Sequence, residues 1–323
     1  MVISRTPFRI SFAGGGTDLA EFYTRQSGAV VSTAIDKFMY VTVNRYFNEG
    51  IILKYSKTEI VPKVSDIKHP ILRECLRYVG LDNHIEITSV ADVVGGTGLG
   101  SSSAFTVGVL HALHAFKGEF RTPEQLAREA CEIEIKRLRA PIGKQDQYIA
   151  AYGGFQFIEF IPDETVRVDP LIVPGPVFER LAERLVLVYT GVTRRASKLL
   201  RQFRAKFNVK DAVLKQMRDL ATIARRELQL GQVDSLGEIL HEGWQLKKSV
   251  SEGISNSDID GVYETARAAG AIGGKILGAG GGGFLLLFTP PRKRKRVLQA
   301  LRGWREIPFN FEPEGSKIIY VSR

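Results

Sequence analysis

Cysteine is nearly absent from this chain of 323 residues, Cys75 and Cys131 being its only two. Two thiols make neither a disulfide framework nor, by themselves, a zinc site; they point to a reducing compartment in which both serve as core residues. Also missing is any charge-free apolar run long enough to span a bilayer, so no membrane partner is expected. The first residues alternate as a strand does rather than as a signal peptide, and the expected location is the cytoplasm. Acidic residues are outnumbered, 35 against 45 lysines and arginines, a formal net charge of +10. That balance favours anionic ligands, phosphorylated metabolites and nucleic acid among them. The densest basic run, Arg292-Lys293-Arg294-Lys295-Arg296, lacks interleaved aromatics and any reader motif. It is expected to be a solvated helix face, with no nucleic-acid partner. With 44% hydrophobic residues a normal buried core is expected, and the length suits two packed domains.

What is present is a stretch rich in glycine and serine, Gly95 to Ala104, between a strand-like segment at 85–90 and an apolar helical run from Phe105 to Phe116. Strand, glycine turn and helix start together present a row of backbone N–H groups to an anion. A Walker A loop would need lysine where Ser101 stands, and a dinucleotide loop would need a different glycine spacing. What remains is Gly-Leu-Gly-Ser-Ser-Ser-Ala entering a helix, a phosphate loop with no lysine.

Strands are expected at 2–13, 28–35, 38–46, 51–55, 84–90 and 155–161 in the first half. A helix beginning at Thr122-Pro123 places Glu134 in line with Ala127, Cys131 and Leu138, whereas Glu132 lines up with Arg128 and Lys136 on a solvated face. An acid among small apolar residues is either a partly exposed helix edge or a functional group. Pro141-Ile142-Gly143 breaks that helix, and a short one beginning at Lys144 carries Asp146. Pro162, Pro170, Pro174 and Pro176 mark a connecting stretch. Helices at roughly 195–206, 209–229, 233–251 and 256–269 follow, and then a glycine loop, Gly278–Gly283, between two strands.

The central loop resembles the second motif of the GHMP kinases (galactokinase, homoserine kinase, mevalonate kinase, phosphomevalonate kinase). Arg9-Ile10-Ser11-Phe12-Ala13-Gly14-Gly15-Gly16-Thr17-Asp18 resembles the first motif, and Lys275 to Phe284 the third, so the likeness spans the chain from end to end. The resemblance implies an α+β fold of two domains. Residues 1–165 would form an ATP-binding domain like domain 2 of ribosomal protein S5, and 166–323 a ferredoxin-like domain. It implies that Gly96, Gly98, Leu99, Gly100, Ser101, Ser102 and Ser103 hold ATP. Ser102 matches the family's metal-binding serine. Glu134, twelve residues before Asp146, has a spacing similar to that of the family's magnesium glutamate, so Mg2+ is the expected cofactor beside ATP. Asp146, within Gly143-Lys144-Gln145-Asp146-Gln147, resembles the aspartate that takes the acceptor's hydroxyl proton. Arg9 matches a family arginine near it, and Lys144 is a further catalytic candidate.

For the acceptor, Gly15 and Gly16 stand where galactokinases carry an acid and a histidine, while Asp18 is retained. This form, with Gly143 to Tyr148, Thr190 to Arg194 and Trp244 to Lys248, resembles the subgroup of D-glycero-D-manno-heptose 7-phosphate kinases. It implies a small-molecule sugar phosphate as substrate, with Gly15, Gly16, Thr17, Asp18, Gly280 and Gly281 facing it. A sugar phosphate needs cations, for which Arg194, Arg195, Lys247 and Lys248 are available. Arg194 and Lys248 are the expected contacts.

Overall fold

The alternation at the start of the chain becomes β1 (Val2–Ala13), with Phe8, Ile10 and Phe12 on one face and Arg9 and Ser11 on the other. All five are buried. The computed structural model describes residues 1–191, 211–251 and 253–322. After β1 come the short α1 (Ala20–Tyr23), β2 (Gly28–Arg45), β3 (Ile51–Lys54), β4 (Thr58–Val61), α2 (Pro70–Val79) and β5 (Ile85–Ala91). Three helices follow, α3 (Ser101–Phe116), α4 (Pro123–Cys131) and α5 (Gln145–Tyr152), and then β6 (Phe155–Phe160) and β7 (Val166–Pro170).

These strands form one sheet in the order β4, β3, β5, β2, β1, with β6 and β7 continuing from the first half of β2. The two strands expected at 28–35 and 38–46 are one. Residues 28–33 pair with β6 and residues 39–45 with β5. Asp36 and Lys37, which look like a turn, fall where the register against β1 slips between Pro7 and Phe8. The pair is absorbed as an irregularity that bends the strand. α3 lies across β1 and β2 and is buried nearly all round. A helix apolar on every side is one held inside the domain. α4 starts on a reciprocal cap, in which Thr122 accepts from the Gln125 N–H and the Gln125 side chain accepts from the Thr122 N–H.

The second half contains α6 (Gly175–Arg184), β8 (Leu185–Tyr189), α7 (Asp211–Gln229), α8 (Ser235–Val250), α9 (Ser257–Ala269), β9 (Gly273–Ile276), β10 (Phe284–Phe288), α10 (Pro291–Ala300) and β11 (Arg305–Glu306). Its four strands run antiparallel in the order β11, β8, β10, β9, the ferredoxin-like arrangement. Val186, Val188, Leu285 and Leu287 pack on α9, while Leu187 and Leu286 join the cluster that runs through the first sheet. The two halves therefore share apolar contacts across the cleft between them.

The proline-rich stretch holds more structure than a connection. Pro170 ends the edge strand β7 and Pro176 sits in the first turn of α6, two places where a missing N–H is tolerated. The last strand, β12 (Lys317–Val321), pairs antiparallel with β1, so the first sheet takes strands from both sides of residue 165. The basic run opens α10, where Arg294 pairs with Glu306 and the other four charges are exposed. Cys75 and Cys131 are free and buried. Among the described residues no helix is long and apolar enough to cross a membrane. The segment expected to be helical at 195–206 lies outside the described residues.

Candidate active site

Two chambers open between the domains and meet at one ion pair. The loop-side chamber is lined by Gly96, Gly98, Gly100, Ser101, Ser102 and Ser103, with Glu134 at its edge. The first intrahelical bond of α3 runs from the Ala104 N–H to the Gly100 carbonyl at 2.9 Å, leaving the N–H groups of Ser101 to Ser103 before it. Those groups and the helix dipole favour an anion in the chamber. Gly98 has φ +88°, and a Cβ there would lie 2.4 Å from the Leu277 carbonyl oxygen. Only glycine lets this loop rest on the third glycine motif. The Thr97 carbonyl accepts from the Phe284 N–H at 3.1 Å in the same contact.

Glu134 lies on a wide π-type turn, Glu132–Arg137, that continues α4. Such turns often mark functional positions. Burial raises its carboxyl above the ordinary glutamate value, opposed by hydrogen bonds from Ser103, Ser102 and Gln147. Ser102 Oγ donates to Oε1 at 2.9 Å and Gln147 Nε2 to Oε2 at 2.8 Å. Among the described residues no lysine or arginine pairs with it, and the buried Gln147 Oε1 lacks a hydrogen-bond partner. A buried carboxylate without a counter-ion, a hydroxyl and an orphaned amide oxygen are a fitting donor set for a hard cation that keeps several waters. The exposed-edge reading of Glu134 is excluded by its burial.

At the junction of the chambers, Arg9 Nε donates to Asp146 Oδ1 at 2.8 Å and Nη2 to Oδ2 at 2.9 Å. Arg9 Nη1 donates to the Gly98 carbonyl and its own N–H to the Leu99 carbonyl, which ties the first motif to the second. Arg9 is buried; Asp146 keeps 27% of its side chain open and borders both chambers.

The other chamber is lined by Gly15, Gly16, Asp18, Gln145, Lys247 and Lys275 beside the Arg9–Asp146 pair. Asp18 Oδ1 accepts from the Gly16 N–H at 2.9 Å and Oδ2 from the Gln145 N–H at 3.2 Å. Burial raises its carboxyl, the Asp146 charge adds to this, and those backbone bonds oppose it. Lys247 donates to the Gly278 and Ile276 carbonyls, and Lys275 to the Phe12 carbonyl at 3.2 Å.

Several expected residues are placed elsewhere. The Lys144 ammonium pairs with Glu164 and lies 4.5 Å from the centre of the Tyr23 ring, outside both chambers, so it is not brought to Asp146. Lys248 pairs with Asp260 at 3.2 Å on the outer side of α8, whereas its neighbour Lys247 faces the cleft. The Thr17 hydroxyl is spent between its own loop and β2, sharing its proton between the Gly14 and Ala29 carbonyls and accepting from the Ala29 N–H, and Leu99 is a core side chain. Gly280 borders the loop-side chamber, and the Gly281 N–H donates to the Ile254 carbonyl at 2.8 Å. Arg194 and Arg195 lie outside the described residues. Lys275, inside the third motif, lines the chamber that holds Asp18 and is not among the site residues expected from the sequence. The helical repeat Leu240, Trp244, Lys247 could have marked Lys247 rather than Lys248 as the inward lysine.

A carboxylate shared by an anion-binding chamber and a second polar one is an arrangement for passing a phosphoryl group between two small molecules. Residues 67–154 match the GHMP kinases N terminal domain and residues 224–305 the GHMP kinases C terminal. D-glycero-alpha-D-manno-heptose 7-phosphate kinase of Campylobacter jejuni is 31% identical over 97% of both chains. The fucokinase/GDP-fucose pyrophosphorylase of Arabidopsis thaliana is 26% identical over 91% of this chain and 30% of its own length. Among solved structures, a D-glycero-D-manno-heptose 1-phosphate kinase from Bacteroides thetaiotaomicron superposes with a TM-score of 0.83, 25% identity and full coverage of both chains. The chain belongs to the GHMP kinases. It is accordingly a phosphotransferase with an alcohol group as acceptor, of a family that uses ATP.

Proposed function

We propose that this kinase transfers the γ-phosphoryl group of ATP to the anomeric hydroxyl of D-glycero-D-manno-heptose 7-phosphate, giving the 1,7-bisphosphate for nucleotide-activated heptose synthesis. The observation that carries the reading is the place of Asp146, gripped by Arg9 and bordering both chambers. A hydroxyl bound in the lysine-side chamber against Asp146 would face a phosphate chain bound at the start of α3. Asp146 would orient that hydroxyl and receive its proton as the oxygen attacks. Arg9 would hold the carboxylate in place and fix its plane toward the hydroxyl. The glycine N–H groups and the α3 start would bear the charge that spreads over the transferring group.

Glu134 and Ser102 are the residues that would hold Mg2+, with Gln147 Oε1 free to accept from one of its waters. When bound, the ion would supply positive charge against that of the phosphates. Gly15 and Gly16 leave the lysine-side chamber wider than an acid and a histidine would, which supports a larger, phosphorylated sugar over galactose. The cytoplasm, where ATP and sugar phosphates are found, is the setting we infer.

The names of the relatives place the phosphate differently, one at position 7 of the substrate and one at position 1. The second reading is a kinase for another sugar, a uronic acid or an unphosphorylated sugar of the fucose type, the latter supported by the Arabidopsis relative. Incubation with ATP and each sugar in turn, with products weighed by mass spectrometry, separates them. Turnover of heptose 7-phosphate is expected. Turnover of fucose or another unphosphorylated sugar alone would replace the proposal by the second reading.

A further inference from the structure

Lys247 and Lys275 are buried, 9% and 6% exposed, and both line the chamber that contains Asp18. Among the described residues neither has a carboxylate within ion-pair distance; their partners are backbone carbonyls. An ammonium taken out of water without a counter-ion is strongly disfavoured. Their protons are correspondingly loosened: burial, with Arg9 nearby, brings Lys247 down to about 8 and Lys275 well below the ordinary lysine value. Charges lining the chamber are unbalanced, three cations (Arg9, Lys247, Lys275) facing two carboxylates (Asp18, Asp146), of which Asp146 is already claimed by Arg9.

Gly15 gives a second, independent sign. It has no left-handed backbone, and a Cβ there would find its nearest atom, Ser11 Oγ, at 3.8 Å. Nothing in the protein itself requires glycine at this position, so the space is open to a bound molecule.

We propose that Lys247 and Lys275 form the anion end of the acceptor chamber, where they grip a phosphate monoester carried by the acceptor away from the hydroxyl that is phosphorylated, and that Gly15 leaves room for it. The proposal rests on the kinase reading above and names its specificity determinants. A phosphate dianion supplies the missing counter-charge to both ammonium groups and accepts their remaining N–H bonds. Lys248 and Arg194 are not needed for this.

The test uses Lys247→Met and Lys275→Met, which replace a buried charge by an apolar chain of similar length and so spare the fold. Heptose 7-phosphate and the same heptose without phosphate are titrated calorimetrically, and KM is measured for acceptor and ATP. Each variant is expected to weaken heptose 7-phosphate at least tenfold, leaving KM for ATP and binding of the unphosphorylated sugar within twofold. Lys→Arg variants are expected to recover part of the loss, and Gly15→Ala to raise KM for the phosphorylated acceptor alone. Equal weakening of both sugars would overturn the assignment, as would a fall in kcat with both KM values unchanged, which would place the lysines on the transferring group. If wild type turns over only an unphosphorylated sugar yet binds heptose 7-phosphate through these lysines, the acceptor is wrong and the lysine site stands. If wild type and both variants turn over heptose 7-phosphate alike, the acceptor is right and the lysine site falls.

Discussion

Arg9 and Asp146, 137 positions apart in sequence, face each other as a two-pronged ion pair, Nε to Oδ1 at 2.8 Å and Nη2 to Oδ2 at 2.9 Å. A planar fork fixes the plane of the carboxylate as well as its position, which a single lysine would not do. Asp146→Asn keeps the size and loses the proton acceptor. It is expected to lower kcat by about 10²–10⁴-fold while ATP still binds, as followed by rapid-quench turnover and nucleotide titration. Near-normal turnover would remove Asp146 from the proton-accepting role.

Glu134 is buried with its carboxyl raised above the ordinary value, so its charged form is a liability to the folded state unless a cation joins it. Folding contributes least stability here once pH has risen past the raised value, and most below the unfolded value. Glu134→Gln is therefore expected to melt no lower than wild type without Mg2+ at pH 7. It is also expected to need several-fold more Mg2+ for half-maximal turnover. An unchanged Mg2+ titration would count against the carboxylate as a ligand.

Gly98→Ala forces a side chain onto the Leu277 carbonyl at a left-handed backbone position. The backbone term alone costs about 1–2 kcal/mol, and the overlap adds to it. The expected result is a lower Tm together with weaker ATP binding, because the same contact aligns the second and third glycine motifs. A variant with wild-type Tm and ATP affinity would show that the two loops do not depend on each other.

Lys247 titrates near 8 in the folded chain against an ordinary 10.5, with Arg9 and Lys275 as facing cations and Asp18 as facing acid. Between those two values the unfolded chain holds the proton and the folded one does not, so this group makes stability rise with pH across the window. Below about pH 8 the cost is fully present and on the order of 3 kcal/mol. Lys275 adds a slope of the same sign. Thermal melts from pH 7 to pH 10 are expected to show Lys247→Met gaining stability over wild type at pH 7 and losing that advantage by pH 10. A constant difference across the range would contradict the shifted lysine.

Much of the site was legible because it is written locally. The glycine–serine loop follows from phosphate chemistry, Asp146 was reached through the resemblance of Gly143 to Gln147 to a family motif, and the helical repeat already placed Glu134 among apolar neighbours. What was not legible depends on contacts distant in sequence. Lys144 adjoins Asp146 in the chain, yet the start of α5 sends its side chain to Glu164 and Tyr23. Lys247 and Lys248 differ only in helical phase, and the burial of Leu240 and Trp244 decides which one faces the cleft. In the fold, the return of β12 to β1 leaves no local signal, since edge pairing depends on the partner strand. The strands expected at 28–35 and 38–46 are one bent β2 because Asp36-Lys37 suits a break between strands as well as an irregularity within one.

In the proposed reaction a hydroxyl at Asp146 receives the γ-phosphoryl group of ATP while the acceptor's own phosphate stays bound in the lysine-side chamber. Phosphorus NMR of the product formed from ATP and D-glycero-D-manno-heptose 7-phosphate tests it most directly. One new anomeric phosphate is expected beside an unaltered phosphate at position 7, with ADP in equal amount. Absence of that product under conditions where an unphosphorylated sugar is converted would contradict it.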